Sequence, residues 1–181
     1  MYNINSELIE QHHLKHYSSE TPSKVHLLFT HGAGASTSHT FFTQLIPLLI
    51  RKGFHVWTFD FGYMHRGLIE NKKRPPTRLP SLILEYQHII EQVRARINDA
   101  PLWLGGKSMG GRVACHVLQE YQHGNLPEQQ SFPKQIQGGA HSRRGIWVGW
   151  ILGLFLLRLV AVARYDRDVD FGAFVGSDVL L

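Results

Sequence analysis

Hydrophobic and polar positions alternate in blocks along the first two thirds of the chain. The run KVHLLFT (24–30) is short, apolar and suited to a strand, and it ends at the glycine-rich HGAGAS. In SHTFFTQLIPLLIRKG (38–53), Phe42, Leu45, Ile46 and Leu49 recur at helical spacing, and Gly53 stands where a C-terminal cap residue is expected. Pro47 falls inside this segment and predicts a kink or a local break. FHVWTFDF (54–61) reads as a second buried strand. LPSLILEYQHIIEQVRARIN (79–98) puts Ile83, Tyr86, Ile90, Val93 and Ile97 on one face, which predicts an amphipathic helix. PLWLGG is a third strand, and MGGRVACHVLQEY (109–121) a third helix through Val113, Val117 and Leu118.

Strands alternating with helices predict an α/β fold of three layers, a mostly parallel sheet covered by helices on both faces. In such sheets chemistry gathers at the carboxyl ends of the strands. The two glycine-rich loops, after Thr30 and after Leu104, fall at those ends. The pattern divides the chain into an N-terminal extension (1–23), an α/β core (24–139) and a hydrophobic C-terminal segment (140–181). Beyond about residue 139 the fold is expected to be incomplete or divergent.

Composition narrows the partners. The chain has 181 residues, of which 43% are hydrophobic and 18% charged, enough for one domain with a real core. Its formal charge of +5 favours anionic partners in general, but the basic residues are scattered apart from Lys72, Lys73 and Arg74. That run is flanked by proline and reads as a solvated loop, so no nucleic-acid partner is expected. The single cysteine, Cys115, excludes an internal disulfide and fits a reducing compartment. The start lacks a basic stretch followed by an apolar core, so no signal peptide is expected and the location reads as cytoplasmic.

The stretch LWLGGKSMGGRVA (102–114) carries two overlapping motifs. A phosphate-cradling G-x-x-x-x-G-K-[ST] loop needs its first glycine at position 101, where the chain has Pro101. The residues between, Leu102 to Gly105, look like a strand. G-x-S-x-G fits better: Ser108 at a sharp strand-to-helix turn needs small residues two positions to either side, and Gly106 and Gly110 supply them. Ser108 would be the nucleophile, and the Met109 N–H, at a helix N-terminus, would face a developing oxyanion. The second oxyanion donor in such a fold comes from the loop after an earlier strand. Here that loop is HGAG, and Ala33 is the expected donor, although position does not separate it from Gly34.

LLFTHGAGAS, FDFGYMHRG, KKRPPT and LGGKSMGGRVA, in that order, resemble one small α/β-hydrolase-like family. It includes bacterial proteins of dienelactone-hydrolase type and relatives of the third subunit of the nonspecific-lethal chromatin complex. The resemblance spans roughly residues 24 to 120 and implies an α/β-hydrolase core with Ser108 as nucleophile. It implies no particular substrate; a small-molecule acyl compound is expected, with no cofactor, and the chromatin-associated relatives suggest protein partners. Gly62 stands where the family has proline.

The last third does not continue the pattern. A serine triad in this fold runs Ser, then acid, then His, and the base must take the serine proton. After Ser108 come only His116, His123 and His141, while the later aspartates begin at Asp166. ARYDRDVDFG (163–172) faintly echoes the family's acid loop, with Asp168 in the acid's place, but no catalytic histidine follows. The expectation is therefore a serine hydrolase by ancestry whose base is missing, with a non-catalytic scaffold as the alternative.

Residues 146–163 form an 18-residue apolar run interrupted by Arg158. Such a run is near the minimum for a membrane span, and a central arginine opposes insertion by about 2.5–3.5 kcal/mol. Three readings stand: a disrupted C-terminus such as a shifted reading frame produces, a membrane-contacting segment, or a pair of hydrophobic strands completing the sheet. No metal site is expected. QHHLKHY groups His12, His13 and His16, and a helix would put His12 and His16 on one face, but no carboxylate or cysteine set accompanies them. They read as an exposed cluster without function.

Overall fold

The computed structural model describes residues 3–9, 12–18, 25–97, 100–122, 147–151 and 160–165. In chain order the elements are β1 (Asn3–Ile9), β2 (His12–Ser18), β3 (His26–Thr30), α1 (Thr40–Arg51), β4 (His55–Phe59), α2 (Gly62–Ile69), α3 (Leu79–Ile97), β5 (Leu102–Lys107), α4 (Met109–Gln122), β6 (Trp147–Ile151) and β7 (Val160–Tyr165). The strands join in one sheet of order β1-β2-β4-β3-β5-β7-β6. At its centre β3 pairs in parallel with both β4 and β5. Outside these three strands every pairing is antiparallel. The parallel sheet expected from the βα alternation is therefore the middle of a mixed sheet.

Alternation along the central strands builds three layers, because successive side chains of a strand face opposite sides. Leu27, Phe29 and Val56 pack with Phe42, Ile46 and Ile50 of α1 on one side. Leu28, Trp57, Phe59, Leu102 and Leu104 pack with α3 and α4 on the other. All five residues assigned to the buried face of α3 are buried, and Leu82, Gln87 and Ile89 join them. Each apolar side chain enclosed in this way contributes about 1.5–3 kcal/mol. α1 runs without a break through Pro47 and closes on a Schellman motif. There Gly53 has φ 89°, its N–H donates to the Ile50 carbonyl, and the Phe54 N–H donates to that of Leu49.

Two features depart from the reading of the sequence, and a third matches one of the alternatives it left open. His12, His13 and His16 stand on strand β2 (HHLKHYS), not on a helix, and with β1 it forms a hairpin whose second strand pairs with β4. His12 and Leu14 consequently turn inward and are buried, so the histidines are not an exposed cluster. Residues 62–69 form α2, for which the apolar pattern gives no signal. Its N-cap, Phe61, has no capping side chain, and the Gly62 N–H instead donates to Glu85 Oε2 of α3 at 2.8 Å. Proline at position 62 would fit a first helical residue but would have no N–H to donate. Finally, the described parts of the apolar run 146–163 are strands β6 and β7, and β7 pairs along the whole of β5. No helix among the described residues is long and apolar enough to cross a membrane.

Candidate active site

The site lies where the chain reverses its progress across the sheet. From β3 it crosses to β4 on one side, then to β5 on the other, so the loops after β3 and β5 meet at the carboxyl ends of adjacent parallel strands. Lys107 ends β5 and Met109 begins α4, so a single residue, Ser108, turns the chain from strand to helix. It does so in the left-handed region with φ 52°, and its side chain is exposed. A non-glycine residue held there costs about 1–3 kcal/mol and persists only where its surroundings impose it.

Those surroundings are glycines in contact with backbone. A Cβ at Gly106 would lie 2.4 Å from the Gly110 carbonyl carbon, and one at Gly110 would lie 2.5 Å from the His31 carbonyl oxygen. A Cβ at Gly32 would be 3.3 Å from the Lys107 carbonyl and 3.6 Å from Ser108 Cβ. The β3 loop is thus packed directly on the elbow. The Arg112 N–H donates to the Ser108 carbonyl and starts the helical ladder. The preceding N–H groups of α4, beginning with Met109, have no intrahelical acceptor.

The β3 loop is held by residues whose roles the motif does not announce. His31 is fully buried; its Nδ1–H donates to the Gly32 carbonyl at 2.6 Å, and its Nε2 accepts the Phe61 N–H at 3.0 Å. These two partners define a neutral ring protonated at Nδ1. Burial is the leading cause that holds its pKa below the ordinary value, against the Gly32 carbonyl, Asp60 and Glu85, which favour the cation. A trans peptide points its C=O and N–H in opposite directions, so fixing the Gly32 carbonyl on His31 turns the Ala33 N–H away from that ring. The Ala33 carbonyl accepts from Tyr63 OH at 3.2 Å. Tyr63 stays protonated because burial, then Asp60 and Glu85, push its pKa up to about 12. Farther along the loop, the Thr37 N–H donates to buried Asp60 Oδ1 at 2.7 Å.

Beneath the elbow, Tyr86 of α3 reaches the seam of β3 and β5. Its hydroxyl is 2.8 Å from the Gly105 carbonyl and 3.0 Å from that of Leu28, and it accepts the Gly105 N–H at 3.1 Å. Lys107 Nζ sits 5.4 Å from the centroid of the Phe41 ring, a cation–π contact that ties the elbow to α1. The histidine in HGAG and the tyrosine on the inner face of α3 were both visible in the sequence, but only their long-range partners reveal what they hold.

Ser108 and Met109 thus form the elbow, and Gly32, the residue before Ala33, packs against it. Asp168, His123 and His141 lie outside the described residues, and His116 is exposed on α4. Among the described residues no histidine or carboxylate hydrogen-bonds the Ser108 hydroxyl.

A sequence profile of the alpha/beta hydrolase domain matches residues 23–132. The chain belongs to this family. Lysophosphatidylserine lipase ABHD12 of Gallus gallus is 25% identical over 103 residues, covering 57% of this chain and 26% of the lipase. The same lipase of Mus musculus is 27% identical over 93 residues, 51% of this chain and 22% of its own length. The chain thus spans about a quarter of the curated relatives it matches. Among solved structures, TT1662 from Thermus thermophilus superposes with a TM-score of 0.51 at 21% identity, over 66% of this chain and 52% of that one. A thermostable carboxyl esterase from Bacillus coagulans gives 0.52 at 14% identity, over 66% and 40%. At such identities these structures attest the α/β-hydrolase fold alone.

Proposed function

We propose that the chain is a serine hydrolase of ester or related acyl bonds, with Ser108 as nucleophile and the N–H groups of Met109 and Ala33 as oxyanion donors. The observation that carries this reading is the exposed, left-handed Ser108 at a strand-to-helix elbow with the β3 loop packed on it. A serine serves acyl transfer when its oxygen stands clear of the sheet and backbone N–H groups surround the position the oxyanion will occupy. The curated relatives are lipases, which supports an ester as the bond attacked. Asp168 is the candidate acid. The base is not among the residues whose contacts are described, and a positioned base contributes about 10²–10⁴-fold in rate.

Reaction of the purified chain with a fluorophosphonate probe tests this reading. We expect slow covalent labelling at Ser108, lost in Ser108→Ala, because a serine without a positioned base is a weak nucleophile. No labelling at millimolar probe, or labelling that survives Ser108→Ala, overturns it in favour of a non-catalytic scaffold.

A further inference from the structure

At the opposite end of the sheet from Ser108, three histidines far apart in sequence converge. His26 opens β3, His55 opens β4, and the two are register partners across the parallel pair. On β2, His16 is the partner of Trp57. Since Trp57 lies two residues beyond His55, all three imidazoles stand on one face of the sheet. Ser108 follows the other end of these parallel strands, six residues beyond Leu102, the register partner of His26, and so roughly 20 Å away along the strand direction.

One ring nitrogen from each of His16, His26 and His55 lies within 4.8 Å of the others. The rings of His26 and His55 stack at 4.6 Å, and that of His16 lies face to face with Trp57 at 3.9 Å. Two nitrogens of the group, His16 Nε2 and His55 Nδ1, are buried and make no hydrogen bond. Burying a polar atom without a partner costs about 1–3 kcal/mol, so two such atoms on rings whose centroids lie 5.6 Å apart call for a common ligand. We propose that His16, His26 and His55 form a binding site for a zinc ion, with its fourth position left to water.

The donor set selects the ion. Three neutral imidazoles offer no oxygen, which disfavours calcium and magnesium and suits zinc, whose open sites take three protein ligands and a water. Burial first, and then the neighbouring histidines, holds His16 and His26 at a pKa of about 4, so both have an unprotonated nitrogen at neutral pH. Zinc–nitrogen bonds of about 2.0–2.1 Å bring tetrahedral ligand atoms to about 3.3 Å, so the rings must close by up to roughly 1.5 Å. Arg94, whose charge is felt at His26, opposes a cation and limits the affinity.

Binding has a built-in reporter. His26 Nδ1 accepts the Trp57 Nε1–H at 3.0 Å. If Nδ1 ligates, its lone pair is taken; if Nε2 ligates, the ring proton moves to Nδ1. Either way the indole loses its acceptor.

The experiment titrates the untagged, chelator-stripped full chain with zinc chloride, read by calorimetry and tryptophan fluorescence. One equivalent binds, the melting temperature rises and fluorescence changes; Trp57→Phe removes the fluorescence change and keeps the binding. His26→Gln and His55→Ala each weaken binding more than tenfold, while His13→Ala leaves it unchanged. Failure to bind one equivalent, or binding that both His26→Gln and His55→Ala retain, overturns the proposal. Should those variants not fold, cobalt in the unmutated chain decides: intense visible bands of tetrahedral cobalt support the site, and weak octahedral bands overturn it.

Discussion

Gly110 of the elbow helix packs so closely on the carbonyl of His31 that a Cβ added at Gly110 would lie 2.5 Å from that oxygen. This contact fixes the distance between the two loops that supply the proposed oxyanion donors. The same Cβ would also meet Thr30 Cγ2 at 2.7 Å, so it has no direction in which to yield. Gly110→Ala is expected to lower stability on the order of 1–3 kcal/mol and to cut fluorophosphonate labelling more than tenfold. Gly34, in the same loop, faces open space, and Gly34→Ala is expected to stay within about 0.5 kcal/mol of the unmutated chain. Urea unfolding of both variants checks the contrast; equal losses would show that the elbow tolerates a side chain at Gly110.

Tyr86 supports the same turn from below. Its buried hydroxyl donates to the Gly105 carbonyl and accepts the Gly105 N–H, and burial raises its pKa well above the phenol range. Tyr86→Phe keeps the ring and strips those groups of their partner in a place water does not reach. The expected cost is about 1–3 kcal/mol, seen as a lower urea midpoint at unchanged slope. A variant as stable as the parent would show that the β3–β5 ladder satisfies Gly105 without the tyrosine.

The contrast between the elbow and the hairpin shows which information the sequence carries locally. Ser108 was legible because its conformation is demanded by neighbours two residues away, Gly106 and Gly110, and because strand and helix flank it directly. The inner face of α3 was legible because Ile83, Tyr86, Ile90, Val93 and Ile97 repeat at helical spacing. In β2, by contrast, the inward positions after His12 and Leu14 pass to His16, so the alternation that marks a strand is hidden in residues of intermediate polarity. α2 carries glycine at positions 62 and 67, poor in helix propensity, and is held instead by buried Tyr63 and by Glu85 from another helix. The three-histidine cluster depends on the register of β2, β3 and β4, which no local pattern contains. The 146–163 run was ambiguous because length and hydropathy do not separate a span from a pair of strands.

His31 makes stability depend on pH. Its pKa is depressed in the folded chain, so the folded state binds fewer protons than the unfolded state, whose imidazole has the ordinary value of 6.5. Stability is therefore fully present above pH 6.5 and falls as the pH drops below it, until the folded-state pKa is reached. Protonation would also set an N–H at Nε2 against the Phe61 N–H, releasing the β3 loop. Nitrogen-detected NMR, with His31→Gln for assignment, should show an Nδ1–H ring at pH 7 that titrates below 6.5. Titration at or above that value would mean that Asp60 and Glu85 outweigh burial.

The strain at Ser108 predicts a trade between stability and chemistry. At φ 52° a side chain bearing Cβ is disfavoured, and glycine adopts the same backbone without that penalty. Ser108→Gly is expected to be more stable than Ser108→Ala by about 1 kcal/mol, although both remove the hydroxyl and both abolish labelling. Measuring the two together isolates the backbone term, because loss of the hydroxyl is common to both. If the elbow exists to aim the serine oxygen, the parent chain should also be less stable than Ser108→Gly, as at sites where function holds a residue in an unfavourable conformation. Should Ser108→Ala match or exceed Ser108→Gly in urea midpoint, the turn would be unstrained, and the structural argument for a mounted nucleophile would lose its main support.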